Sequence, residues 1–199
     1  MPELPEVQTV VDTLRPRLLN ARITAVTLAR RDILTPAGVD LPRLLVGRSF
    51  RSVDRRAKRI VLTLNDGNRF YIHLGMSGRL TLADSKAPLP RHTHFIVRFD
   101  VVGVCELRFT DPRRFGGIWW LGTEESESER MGPEPLTLKT AELARRLAKT
   151  RRAIKNALLD QTLIAGLGNI YVDESLHAAG IHPLTLAPAL TMEQIGQLN

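Results

Sequence analysis

The sequence predicts an α+β chain in two parts: an N-terminal antiparallel β-sandwich or barrel domain that opens with a helix, and a helical part beyond a linker. Three observations predict it. Apolar residues alternate with period two across about 22–122, in short runs separated by turn residues. Apolar residues recur at helical spacing before and after that stretch. Residues 123–135 (TEESESERMGPEP) are acidic and then rich in Pro and Gly, as linkers are. The expected boundaries are a domain over 1–122, a linker over 123–135 and a helical domain over 136–199.

Taken in order, residues 5–18 form an amphipathic helix, with Val7, Val10, Val11, Leu14 and Leu18 on one face. Pro5 suits the first turn, where a missing N–H costs nothing, and Glu6 suits the helix dipole there. Pro16 is expected to break or end the pattern. Residues 23–28 read as a strand. Residues 60–64 and 69–74 read as a hairpin around Asn65-Asp66-Gly67-Asn68, with Phe70, Ile72 and Leu74 on one face and Tyr71 and His73 on the other. Phe95, Val97, Phe99 and Val101 alternate cleanly, and a turn at Gly103 leads to Leu107 and Phe109. Beyond the linker, Leu143, Leu147, Ile154, Ala157 and Leu158 suit one or two helices. Residues 170–179 form another, stopped by Gly180 and Pro183. Thr191 with Gln194 makes a capping box for a last helix, whose pattern is still running at Asn199.

Composition excludes several classes. The hydrophobic fraction of 43% over 199 residues is too high for a disordered polar chain. No run reaches the ~18 apolar residues of a membrane helix, and MPELPEVQTV is no signal peptide. The single cysteine, Cys105, excludes an internal disulfide framework and a cysteine-rich zinc site, and suits a reducing cytoplasm. A net charge of +7 fits a polyanionic partner without proving one.

Three clusters could carry chemistry. Once Met1 is removed, Pro2 carries a secondary α-amine whose pKa lies well below that of lysine, so it can attack an aldehyde carbon. Glu3 and Glu6 stand close by to move protons. The plainer reading is a capped helix start with two solvated acids. Gly166-Leu-Gly-Asn169 precedes a helix, with Asn169 as its N-cap, and suits a phosphate or simply a tight helix connection. The third is a basic scatter: Arg55-Arg56-Ala57-Lys58-Arg59, then His92-Thr93-His94, then Asp111-Pro112-Arg113-Arg114-Phe115-Gly116-Gly117. It reads as a solvated face, except that Phe115, and Met76 in His73-Leu74-Gly75-Met76-Ser77-Gly78, set apolar side chains in turns beside cations. A DNA wedge needs that pairing.

Five motifs in register resemble one family. Pro2-Glu3-Leu4-Pro5-Glu6-Val7, His73-Leu-Gly-Met-Ser-Gly78, Thr110-Asp-Pro-Arg-Arg-Phe-Gly116, Met131-Gly132-Pro133-Glu134-Pro135 and Gly168-Asn-Ile-Tyr171 are similar to formamidopyrimidine-DNA glycosylases over residues 2 to about 186. The start PELPEV favours this family over the related endonuclease VIII enzymes. The resemblance implies a helix–two-turn–helix domain after the sandwich. It also implies a bifunctional glycosylase and abasic-site lyase acting, as a monomer, on double-stranded DNA with oxidised purines or abasic sites. Pro2 would be the nucleophile, Glu3 the general acid/base, and Glu6 a support for the sugar or nucleophile. Lys58 and Asn169 would contact phosphates, with His73, His92, His94, Lys155 and Tyr171 as further DNA contacts. Met76, Arg113 and Phe115 would fill the void left by an extruded base, Arg113 pairing with the orphaned cytosine. Family members run on through the rest of the helical domain, a loop covering the damaged base and a four-cysteine zinc finger. No such finger stands in these 199 residues, so no cofactor is expected here and the sequence reads as a fragment or a shortened member. The competing expectation is a protein that holds damaged or bent DNA without cutting it; RNA-recognition signatures are absent.

Overall fold

A computed structural model describes residues 2–101, 103, 105–123 and 131–198. Most of the linker expected over 123–135 therefore lies outside the described residues. The chain divides into two compact units, residues 1–124 and 125–199.

The first unit opens with α1 (Leu4–Leu18), which buries Leu4, Val7, Val11, Leu14 and Leu18. Pro16 does not end it: the helix runs on to Leu18, because in the last turn the absent N–H removes only one backbone bond. Among the described residues nine strands follow: β1 (Ile23–Leu28), β2 (Leu34–Thr35), β3 (Phe50–Arg56), β4 (Arg59–Leu64), β5 (Arg69–His73), β6 (Arg79–Ala83), β7 (Thr93–Phe99), β8 (Glu106–Thr110) and β9 (Gly117–Gly122), with a short helix α2 (Leu41–Leu45) after β2. One sheet has the order β1-β7-β8-β6, the other β2-β9-β5-β4-β3. All pairings are antiparallel except β2 with β9. The α+β class and the antiparallel sandwich expected from the alternation are the ones observed.

The two sheets and α1 share one apolar core. Ile60, Leu62, Phe70 and Ile72 from one sheet join Phe95, Val97, Leu107 and Phe109 from the other, with Val7, Val11 and Leu14 from the helix. The back face of β5 is also covered: Tyr71 stacks on Trp119 of β9 at 4.9 Å between centroids, and Arg59 lies over the Tyr71 ring at 4.2 Å. Strand β5 is therefore apolar on both faces, which a half-buried alternation does not describe.

The second unit holds α3 (Thr140–Leu147), α4 (Ile154–Leu158), α5 (Asn169–Ala178) and α6 (Met192–Leu198) around its own core, in which Leu143, Leu147, Ile154, Leu158, Val172 and Leu176 are buried. Gly180 follows α5 at φ 62, the conformation a glycine stop provides. The expected capping box is present: Thr191 Oγ1 accepts the Gln194 N–H at 3.2 Å, and Gln194 Oε1 accepts the Thr191 N–H at 3.0 Å. No described helix is long and apolar enough to cross a membrane.

Candidate functional site

The candidate residues of the first unit lie on a helix start and four turns or strand ends. At the N-terminus, both acids do cap α1: Glu6 Oε2 accepts the Glu3 N–H at 2.9 Å, and the Glu3 carboxylate accepts the Glu6 N–H. They are not two solvated acids, however. Glu6 is exposed, whereas Glu3 is only 2% exposed. A carboxylate in a dry setting next to a candidate nucleophile suits proton transfer.

Lys58 follows Ala57 in the two-residue turn between β3 and β4. Ala57 takes φ 53, a left-handed value usually left to glycine, and its methyl is buried. Arg55 braces this turn, donating through Nη1 to the Ala57 carbonyl at 3.0 Å and through Nε to Gln8 Oε1 of α1 at 2.9 Å. The Lys58 side chain is buried enough that desolvation lowers its pKa from the usual lysine value, against the opposing pull of Glu3. The acid and the amine thus feel one another.

His73, at the end of β5, accepts the Gly75 N–H on Nδ1 at 3.1 Å, so its proton resides on Nε2. Burial lowers its pKa first, and the charges of Arg59 and Lys58 lower it further. Met76 stands 48% exposed in the turn that follows. Phe115 is 56% exposed between β8 and β9, and the Arg113 guanidinium lies 4.6 Å from its ring centroid. Arg114 takes φ 56 and points elsewhere, pairing with Asp32 at 2.9 Å. Two exposed apolar tips are therefore present, and the Phe115 tip stands beside a cation, as a wedge requires.

Pro2 and Met76 share a cleft of about 610 Å³, lined also by Ser77, Gly78, Arg79, Thr110 and Pro112. Ser77 and Thr110 lie within the quoted motifs but were given no role, and Arg79 falls just beside one; only the folding of two distant turns together brings them to one wall. His92 is exposed at φ 64, but His94 is buried and its Nε2–H donates to the Asp111 carbonyl at 2.9 Å. His94 stands among the supports of the Arg113 turn rather than on the open surface.

In the second unit, Asn169 is not the N-cap of α5. Gly168 is: its backbone is extended and its carbonyl accepts the Val172 N–H at 3.0 Å. Asn169 is the first helical residue and its side chain is exposed. Gln161, which the sequence did not flag, organises the approach to it. Its Nε2 donates to the Leu159 and Leu167 carbonyls at 3.1 and 2.9 Å, and its Oε1 accepts the Gly166 N–H at 2.9 Å. Tyr171 is half-buried, and Lys155 is ion-paired to Asp173 at 2.7 Å. Among the described residues no three His, Cys, Asp or Glu side chains are grouped to hold a metal ion.

Comparison with known proteins follows the same two units. Residues 1–118 match the formamidopyrimidine-DNA glycosylase N-terminal domain, and residues 131–199 match the formamidopyrimidine-DNA glycosylase H2TH domain. The formamidopyrimidine-DNA glycosylase of Desulforamulus reducens is 42% identical over 207 residues, covering 100% of this chain and 74% of that protein. That of Chloroflexus aggregans is 45% identical over 206 residues with the same coverage. Among solved structures, the Lactococcus lactis formamidopyrimidine-DNA glycosylase bound non-covalently to DNA with an abasic site superposes with a TM-score of 0.90 at 32% identity, over 99% of this chain and 77% of that one. A MutM complex with DNA containing carbocyclic 8-oxoguanine gives 0.90 at 33% identity, over 99% and 75%.

Proposed function

Since the chain belongs to the formamidopyrimidine-DNA glycosylase family, whose members are DNA glycosylases of base excision repair, we propose that it excises oxidised purines (8-oxoguanine and formamidopyrimidines) from double-stranded DNA and then cuts the abasic site. The observation that carries this reading is the start of the chain. Pro2 lines a cleft shared with the exposed Met76, and the next residue is the buried acid Glu3.

With Met1 removed, the Pro2 nitrogen attacks C1′ of the damaged nucleotide and the base departs. Glu3 supplies a proton to the opening sugar ring, leaving an iminium between Pro2 and C1′. The iminium acidifies the C2′ proton; its removal expels the 3′ phosphate, and a second elimination expels the 5′ phosphate. Lys58, partly desolvated and under the electrostatic influence of Glu3, holds a flanking phosphate. Glu6 keeps Glu3 oriented through the backbone bond at the helix start. His73 presents Nε2–H as a neutral donor, and His92, Lys155, Asn169 and Tyr171 extend the phosphate contacts. Extruding a nucleotide costs a few kcal/mol of stacking. Met76 and Phe115 offset part of it by entering the stack, while Arg113 pairs with the orphaned base.

Borohydride reduction during incubation with abasic DNA tests the mechanism. The expected result is a covalent adduct carrying the N-terminal peptide, and at least about a hundredfold loss of base excision for Glu3→Gln with DNA binding retained. Unchanged trapping by Pro2→Gly would overturn the role of Pro2. A retained Met1 with no adduct would favour a protein that holds damaged DNA without cutting it.

A further inference from the structure

Asp111 is fully buried and belongs to none of the groups assigned above. Its Oδ1 accepts the Ser77 hydroxyl at 2.6 Å and the Arg113 N–H at 3.2 Å, and its Oδ2 accepts the Gly116 N–H at 2.8 Å. Its backbone is engaged as well: the carbonyl accepts from His94 Nε2 and the Arg114 N–H, and the N–H donates to the His92 carbonyl. Burial alone would raise its pKa. The Ser77 hydroxyl and the amides of Gly116, Arg113 and Arg114 outweigh burial and hold it below the ordinary aspartate value. The turns that bear Met76 and Phe115 also abut directly. A Cβ on Gly75 would strike the Gly116 nitrogen and the Phe115 backbone, and one on Gly116 would strike the His73 carbonyl.

We propose that Asp111 is the positioning residue that presets Met76, Arg113 and Phe115 as one unit, because its carboxylate ties the 74–78 turn to the 112–116 turn. What this unit fills rests on the function proposed above; that the two turns are clasped does not. Side chains that must enter a base stack together act best when their supports are ordered before DNA arrives. A carboxylate suits the place because every partner of its two oxygens is a donor. An asparagine would turn an NH₂ group towards one set of N–H or O–H donors.

The test uses the full chain, as wild type, Asp111→Asn and the milder Ser77→Ala. Hydrogen exchange read by mass spectrometry should quicken at least about tenfold in peptides covering both 74–78 and 112–117 in Asp111→Asn, with the strands of the core unchanged. Ser77→Ala, which removes only the bond between the turns, should move both peptides in the same direction by less, and it carries the test if Asp111→Asn does not fold. Unchanged exchange in either turn overturns the clasp. For the DNA arm, 8-oxoguanine excision from a duplex should fall at least about tenfold in Asp111→Asn, and 2-aminopurine placed beside the lesion should lose its rise in fluorescence. Borohydride trapping on an abasic site opposite a one-nucleotide gap, where no orphaned base remains to be met, should stay within about twofold. An equal fall in both reactions overturns the positioning role. If wild type neither traps nor excises, the proposed function fails, while the exchange data still decide the clasp.

Discussion

His73 shows how much one side chain's proton controls. Its Nδ1 must be bare to accept the Gly75 N–H, and Gly75 opens the turn that bears Met76. Burial, then Arg59 and Lys58, depress its pKa below the usual 6.5. In the unfolded chain the ring takes up a proton near pH 6.5, whereas the folded chain refuses it until lower pH. The folded state is therefore destabilised as pH falls from about 6.5 through the depressed value, and the loss is absent above 6.5. His73→Asn keeps an acceptor near the position of Nδ1 and does not titrate. The difference in melting midpoint between wild type and His73→Asn should thus turn against wild type between pH 7 and 5; a constant difference would remove His73 as the cause. The residue types of this site were legible as motifs, but their states were not. Nothing local distinguishes the buried Glu3 from the exposed Glu6, since both cap the same helix and only the fold around them differs. Asp111 could have been noticed, because Asp before Pro initiates turns. Its bond to Ser77, 34 positions earlier in the chain, could not.

At the scale of elements, legibility followed the length and purity of the hydrophobic pattern. Strand β4 alternates over its six residues and β7 from Phe95 to Phe99, and both were plain. Strand β3 was not singled out, because its sequence FRSVDRR buries only Phe50 and Val53 and reads as a basic run. The same mixture hides structural arginines among candidate DNA contacts. Arg108 is buried and is not an open cation. It donates to Glu106 at 2.7 Å and to the carbonyls of Pro88, Asp84 and Ala87 at 2.9, 3.1 and 3.0 Å, which fastens the loop after β6 to strand β8. A lysine carries the charge but not the planar fork that reaches several acceptors. Arg108→Lys should cost roughly 2 kcal/mol of unfolding free energy, read from urea denaturation, and proteolysis should quicken within 84–90. A variant as stable as wild type would show that the loop is held by its own turns instead.

Across the whole chain the charge is unevenly distributed. Residues 1–123 carry a net +9, residues 124–130 carry −3 and residues 131–199 carry +1, so the +7 of the chain is the excess of its β-rich unit. Several of those cations are already engaged: Arg108 with Glu106, Arg114 and Arg30 with Asp32, and Arg98 with Glu106. The charge therefore overstates how many phosphates can be met, and salt dependence is the quantity that counts them. Each phosphate contact adds about 0.9 to the slope of log K against log salt on duplex DNA. Lys58, assigned to a phosphate, and Phe115, assigned to the stack, should then differ in kind. Lys58→Met should weaken binding and flatten the slope by about 0.9 between roughly 50 and 200 mM salt. Phe115→Ala should weaken binding to lesion duplexes at every salt concentration with the slope unchanged. Lys155 should behave less simply, because meeting a phosphate requires it to leave Asp173, now 2.7 Å away. Asp173→Asn frees that lysine beforehand and should strengthen binding while steepening the slope. If wild-type affinity did not vary with salt at all, the excess on the β-rich unit would be solvated surface, and the DNA reading of both units would fall together.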